Sequence, residues 1–109
     1  MPAFSDRVIL IARAIPFGKV TTYGRIARAA GGSSMTSQSI TGILSRAYDK
    51  GITDIPFHRI VYADGRVWMN EEYRARRLKL YKKEGIKINK KDTIENFEEV
   101  LWELKRNDI

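Results

Sequence analysis

Proline and glycine set the frame of this chain. Pro16 and Gly18, the Gly31-Gly32 pair, Gly51, Pro56, Gly65 and Gly85 fall at intervals that leave room only for short elements between them. Across 109 residues there is no internal repeat and no low-complexity segment, so the short pieces must share one modest core in a single domain, residues 1–109.

Between these marks the apolar residues recur at helical spacing. Ser5 is expected to cap a first helix running to about Ile15, with Val8, Ile9, Ala12 and Ile15 on one face, ended by Pro16 and Gly18. Thr21 or Thr22 caps a second helix, Tyr23 to Ala30, closed by Gly31-Gly32. A polar turn at Ser33-Ser34 leads to a third helix near Thr36 to Ala47, with Ile40, Ile43, Leu44 and Ala47 as its buried stripe. Two short helices joined by a Gly/Ser turn make a helix-turn-helix, a motif that reads DNA but also occurs for packing alone. The polar residues at its turn, Ser34, Thr36, Ser37, Gln38 and Ser39, supply hydroxyls and amides suited to phosphate.

The segment IPFHRIVYADGRVWM reads as two short strands around an Ala63-Asp64-Gly65 turn, a hairpin that can serve as a wing. The fold class expected is mainly α: a winged-helix-like helix-turn-helix domain with a short β-hairpin wing. Glu71 to Glu84 is expected to be a basic helix, with Tyr73, Leu78 and Tyr81 on its packed side and Gly85 at its end. Asp92-Thr93-Ile94-Glu95 has the composition of a capping box, opening an acidic C-terminal helix over residues 92–109 with Phe97, Val100, Leu101 and Leu104 along one stripe. That last helix either closes the core or meets a protein partner.

Charge narrows the partner. The net charge of +7 is uneven, with 18 Lys/Arg against 7 Asp/Glu in residues 1–91 and 2 against 6 in residues 92–109. A basic body favours a polyanion, because neutralising phosphates releases condensed counterions. No apolar run suffices to span a bilayer, and Asp6, Arg7 and Arg13 within the first segment argue against a signal peptide. The absence of cysteine excludes disulfides and thiolate chemistry, and a lone histidine argues against a catalytic metal, so neither metal nor cofactor is expected. A cytoplasmic protein, nucleoid-associated in a prokaryote, is the expectation.

Taken in order, IPFGKVTTYGRIARAAG, IPFHRIV with its Gly65 hairpin, and KKEG resemble the DNA-binding domain of the O6-alkylguanine-DNA alkyltransferases over nearly the whole chain. The enzymes of that family carry Pro-Cys-His-Arg, whereas this chain reads Pro56-Phe57-His58-Arg59. That is the pattern of the alkyltransferase-like proteins, which lack the alkyl-accepting cysteine and mark alkylated DNA for other repair machinery, nucleotide excision repair among the candidates. A phenyl ring has no nucleophilic lone pair, so no alkyl transfer is expected.

The resemblance implies a non-enzymatic protein that binds double-stranded DNA in the minor groove, flips O6-alkylguanine out of the duplex and flags it. It assigns the lesion pocket to Tyr23, Phe57, His58, Arg59, Trp68 and Met69, with Thr21, Thr22 and Tyr23 at the phosphates and His58 with Glu84 as the pocket's scaffold. For Phe57 the plain alternative is ordinary core. For His58 it is a satisfied structural histidine, and for Trp68 and Met69 an anchor of the wing. One departure stands out: the family's recognition helix reads close to Ala-Arg-Ala-Val-Gly, its arginine filling the gap left by the extruded base, and here the run is Ser37-Gln38-Ser39-Ile40-Thr41. Gln38 is neutral and shorter, which supports a second reading, a DNA or protein interaction module without lesion preference.

Overall fold

The computed structural model describes residues 3–32 and 38–103. Helix α1 (Phe4–Ala14) is followed by a two-residue strand β1 (Thr21–Thr22), helix α2 (Tyr23–Ala29) and helix α3 (Ile40–Asp49). A 3-10 turn over Phe57–Arg59 leads into β2 (Ile60–Val61), and helices α4 (Arg74–Lys83) and α5 (Phe97–Val100) complete the order. The chain is mainly helical, as its punctuation requires.

Two apolar clusters divide the interior. In the first, α1, α2 and α3 pack together through Val8, Ile11, Ile26, Ile40 and Leu44, joined by Ile55 and Ile60. The stripe Ile40, Ile43, Leu44, Ala47 is buried as its spacing predicts, and Ile11 joins the face of α1 expected from Val8, Ala12 and Ile15. In the second, Val20, Val61, Val67, Tyr81, Ile86, Ile94 and Val100 gather from separate stretches of the chain. The seam between the clusters is the pairing of β1 with β2, parallel, with Thr21 opposite Ile60 and Thr22 opposite Val61.

That pairing corrects the expected hairpin. Tyr62 N donates to Arg66 O, closing the turn, but the outgoing segment then leaves for a different neighbour: Arg66 bridges Thr93 antiparallel and Val67 N donates to Asp92 O. Gly65 is required at this turn, at φ +87° with the Phe97 ring 3.2 Å from where a Cβ would stand. The capping box does not form either. Asp92 sits at φ 54°, Thr93 and Ile94 are in bridges, and Asn96 precedes the single turn of α5 without a side-chain cap.

The acidic C-terminal helix over 92–109 is thus confined, among the described residues, to Phe97–Val100; Leu104 lies outside them. Leu101 instead bridges Val20 in parallel, and Val20 N donates to Val100 O while Trp102 N donates to Val20 O.

Three smaller corrections concern caps and faces. Ser5 lies inside α1, which begins after Ala3 with no side-chain cap. Helix α4 starts at Arg74 and not at Glu71, and of its expected packed residues only Tyr81 is buried; Tyr73 and Leu78 are exposed. Thr22, of the two candidate threonines, caps α2, its Oγ1 accepting from Arg25 N at 3.2 Å.

Candidate DNA-binding face and base pocket

The Pro56-Phe57-His58-Arg59 run forms a 3-10 turn whose side chains divide between two surroundings. Behind the turn is a polar knot. Glu84, at the end of α4, has a side chain only 2% exposed, and its carboxylate accepts from Gly18 N (2.8 Å), Arg59 Nε (2.9 Å), Arg59 Nη2 (3.2 Å) and His58 Nε2. Gly18 reaches it at φ +82°, a backbone conformation that favours glycine. Arg59 also donates through Nη1 to Ile15 O at 2.9 Å, tying the end of α1 to the same point. Tyr81 closes the knot from below, its hydroxyl donating to His58 O at 2.6 Å, and burial pushes that hydroxyl's pKa up to about 12.

The charges in the knot are settled by these contacts. Burial alone would raise the Glu84 carboxyl, but Arg59, Gly18 N and His58 outweigh it and hold the group below its usual range. His58 is lowered first by its own burial, and the nearby Arg59 and Arg77 cations act in the same direction, so that together they outweigh the raising pull of Glu84. His58 is therefore a neutral imidazole, and since an ionised carboxylate only accepts, its proton resides on Nε2.

In front of the turn is an open cavity of about 780 Å³, within the range of ligand sites. Phe57, half-buried, forms part of its wall. Tyr23, Tyr62 and Trp68 supply further rings, with Tyr23 and Tyr62 centroids 5.7 Å apart. Thr22, Gln38 and Thr41 line the side formed by the starts of α2 and α3, and Arg28 and Arg77 add two cations. Tyr23 is raised from its usual pKa by burial first and by Tyr62 next, so its hydroxyl stays neutral and able to donate. A second cavity of about 730 Å³ adjoins the first and shares Ser45, Phe57, Trp68 and Arg77 with it. Phe57 also meets Tyr48 edge-on at 6.1 Å and packs against the first apolar cluster, so the core and cavity readings of this residue hold together.

Of the residues singled out from sequence, the structure brings Tyr23, Phe57 and Trp68 to one cavity, with Thr22 and Gln38 at its edge. It turns Arg59 away into the knot and sets His58 there too, on the wall of the second cavity only. Met69 packs against the second apolar cluster rather than on the cavity wall. Thr21 is fully buried and presents nothing to a DNA backbone. Ser39 is exposed immediately before α3; Ser34, Thr36 and Ser37 lie outside the described residues. Sequence reasoning missed Tyr62, Arg28 and Arg77. Tyr62 had a signal, an aromatic ring just after the IPFHRIV motif, whereas Arg77 is one of several cations on α4 and nothing local marks it as the one facing inward.

Residues 3–86 match the family described as the DNA-binding domain of 6-O-methylguanine DNA methyltransferase. The chain belongs to this family. It is 34% identical over 87 residues to the DNA base-flipping protein of Escherichia coli (strain K12) and equally to that of Shigella flexneri, a match covering 80% of this chain and 65% of each relative's length. Its fold is that of S. pombe Atl1 in complex with damaged DNA containing O6-carboxymethylguanine, with a TM-score of 0.75 at 24% identity over 95% of this chain and 100% of that one. S. pombe ATL in complex with DNA gives 0.71 at 23% identity with the same coverage. Within the family motif the residue between Pro56 and His58 is Phe57, and the 109 residues contain no cysteine at all.

Proposed function

We propose that this protein is a non-enzymatic reader of alkylated guanine in double-stranded DNA, which extrudes the base into the cavity walled by Tyr23, Phe57 and Trp68 and presents the lesion to repair machinery, nucleotide excision repair being the partner class proposed. The observation that carries the proposal is the ring of Phe57 on the wall of an open cavity at the motif position of the missing thiol. A cavity with a nucleophile would react with the base it receives; with a phenyl ring it can only hold it.

The start of α3 supplies the groove-facing element, with Gln38 at its leading end beside the cavity. Thr22 is buried but reaches the cavity's edge, and since its oxygen is the acceptor in the bond from Arg25 N, its hydroxyl proton remains to be donated to a phosphate. Tyr23, next along the chain, stands where the extruded nucleotide would enter. An O6-alkylated guanine pairs poorly, so extruding it costs less than extruding guanine, and stacking on the cavity's rings adds about 1 to 3 kcal/mol per base. Both contributions favour the lesion only if the base leaves the stack.

The test compares two duplexes differing at one base, O6-methylguanine or guanine, at low salt and with the protein shown to be folded. Tighter binding of the methylated duplex, together with the fluorescence rise of a 2-aminopurine placed next to the target position as the stack opens, is the expected result. Equal affinities and unchanged fluorescence would leave the interaction module without lesion preference, which the neutral Gln38 favours, as the better account. Transfer of a labelled alkyl group onto the protein would overturn the reading of Phe57.

A further inference from the structure

The segments that follow α4 form a small ribbon with one edge left open. Residues 92–95 are its middle. On one side Val67 N donates to Asp92 O and Ile94 N to Gly65 O; on the other Glu95 N donates to Lys87 O and Asn89 N to Thr93 O. Asn96 adds to the second side, its Oδ1 accepting from Lys87 N and its Nδ2 donating to Gly85 O. The odd-numbered residues of 85–89 thus turn their backbone groups to the middle segment, and in an extended chain the even-numbered ones point the other way. There Ile86 N donates to Tyr81 O, but Ile86 O, Ile88 N and Ile88 O make no hydrogen bond among the described residues.

Between this edge and α4 is a groove of about 430 Å³, lined by the apolar groups of Leu78, Tyr81, Ile86 and Ile88 and by Lys82 and Lys87. Leu78 is 37% exposed, which is unusual for a leucine beside a core. No carboxylate lines the groove, and neither lysine makes an ion pair among the described residues. Arg76, Arg77 and Leu80, which α4 turns to the two cavities around Phe57, fall on a different flank of the helix from Leu78 and Lys82.

We propose that this groove docks an extended acidic segment of a partner protein, which adds as a strand along Ile86 and Ile88, sets an apolar side chain against Leu78 and Ile88, and brings carboxylates to Lys82 and Lys87. Two properties decide the occupant. The open edge offers one donor and two acceptors, and a peptide backbone answers both kinds, whereas phosphates only accept and would leave Ile86 O and Ile88 O unmet. Two unpaired cations without a carboxylate between them call for the opposite sign on the partner. The inference goes beyond the lesion-reading function and stands without it, since the groove and the base cavity use separate flanks of α4.

The probes are fluorescein-labelled peptides of about eight residues, the length of a strand, with Val, Ile, Leu or Phe at two alternating positions and flanks that are all Asp/Glu or all Lys. Binding to the full chain is read by anisotropy, and backbone pairing by hydrogen exchange of the Ile88 amide. At least one acidic peptide should bind about ten-fold tighter than its lysine counterpart and slow exchange at Ile88. N-methylation at alternate backbone amides of that peptide should abolish binding in one register and spare it in the other, because only one set of amides meets the edge. Leu78→Asn, Lys82→Gln and Lys87→Gln should each weaken the peptide several-fold while binding of duplex DNA is kept. Acidic and lysine peptides bound alike, or not at all, overturn the inference, as does equal tolerance of N-methylation in both registers. Displacement of the peptide by duplex DNA would give the groove to nucleic acid, and dimerisation of the chain abolished by the same variants would give it to a second copy; either result overturns the inference too.

Discussion

Phe57 and His58 adjoin in sequence and sit in opposite kinds of surroundings. His58 belongs to a knot in which one buried carboxylate receives four hydrogen bonds and ties together the end of α1, the 3-10 turn and the end of α4. Phe57 belongs to a cavity with exposed rings, a buried guanidinium donor that is unmet and no acidic lining among the described residues. The difference is between polar groups satisfied from within and polar groups left for something brought from outside. The knot fixes the backbone of the turn, so Phe57 is presented on a rigid support, and the cavity's unmet groups are where binding energy is to be gained.

The sharpest way to break this contrast is to open the knot. Glu84→Ala leaves the Arg59 guanidinium buried without its carboxylate and Gly18 N without its acceptor, and should cost about 3 to 5 kcal/mol of folding stability, read as the shift in urea denaturation. A loss below about 1 kcal/mol would mean that the knot is dispensable and that packing alone holds the turn. On the cavity side, Phe57→Ala should remove roughly 1 to 2 kcal/mol of the preference for O6-methylguanine over guanine, near the lower end for one stacked base, and leave affinity for unmodified duplex nearly unchanged. An equal loss for both duplexes would place Phe57 in general support instead. Gln38→Arg should strengthen duplex binding by about 0.5 to 1 kcal/mol by restoring a cation and a stacking plane at the start of α3. Unchanged or weaker binding in gel shift would show that this helix start does not meet the groove.

The smallest effect expected is a pH dependence that belongs to the knot alone. His58 is held below its ordinary value of 6.5, so the unfolded chain binds more protons than the fold once the pH drops beneath that value, and stability falls on acidification. Glu84, held below its ordinary 4.5, adds a further loss as the pH passes below that value. The full contribution is present above about pH 6.5. Urea midpoints across the acid range should show the upper step in the unmodified protein and lack it in His58→Gln; a midpoint that rises on acidification would contradict this protonation assignment.

What could be read from sequence was what local spacing carries. The stripe of α3 was legible because four apolar residues recur at helical intervals, and Phe57 was legible because its motif neighbours His58 and Glu84 survive around it. The parallel β1–β2 pair was not, since each strand has two residues and its partner lies 39 positions away, leaving no periodicity to detect. At Asp92-Thr93 the residues have capping chemistry, but the bridge to Arg66 and the contact of Val67 N with Asp92 O override it. Arg77 was hidden for a different reason: a helix rich in lysine and arginine shows that charge is abundant, and only packing shows which cation turns inward.

The return of Leu101 and Trp102 to Val20 also bears on the order in which the protein assembles. Val20 lies two residues before Thr22 and three before Tyr23, so the edge of the cavity is seated by a contact between residues about 80 positions apart in the chain. Closing loops of that size is entropically slow, whereas α1 and α2 can form and pack through local contacts. In refolding, burial of the helical cluster should therefore precede formation of the cavity, and competence to bind DNA should lag behind the recovery of helical signal.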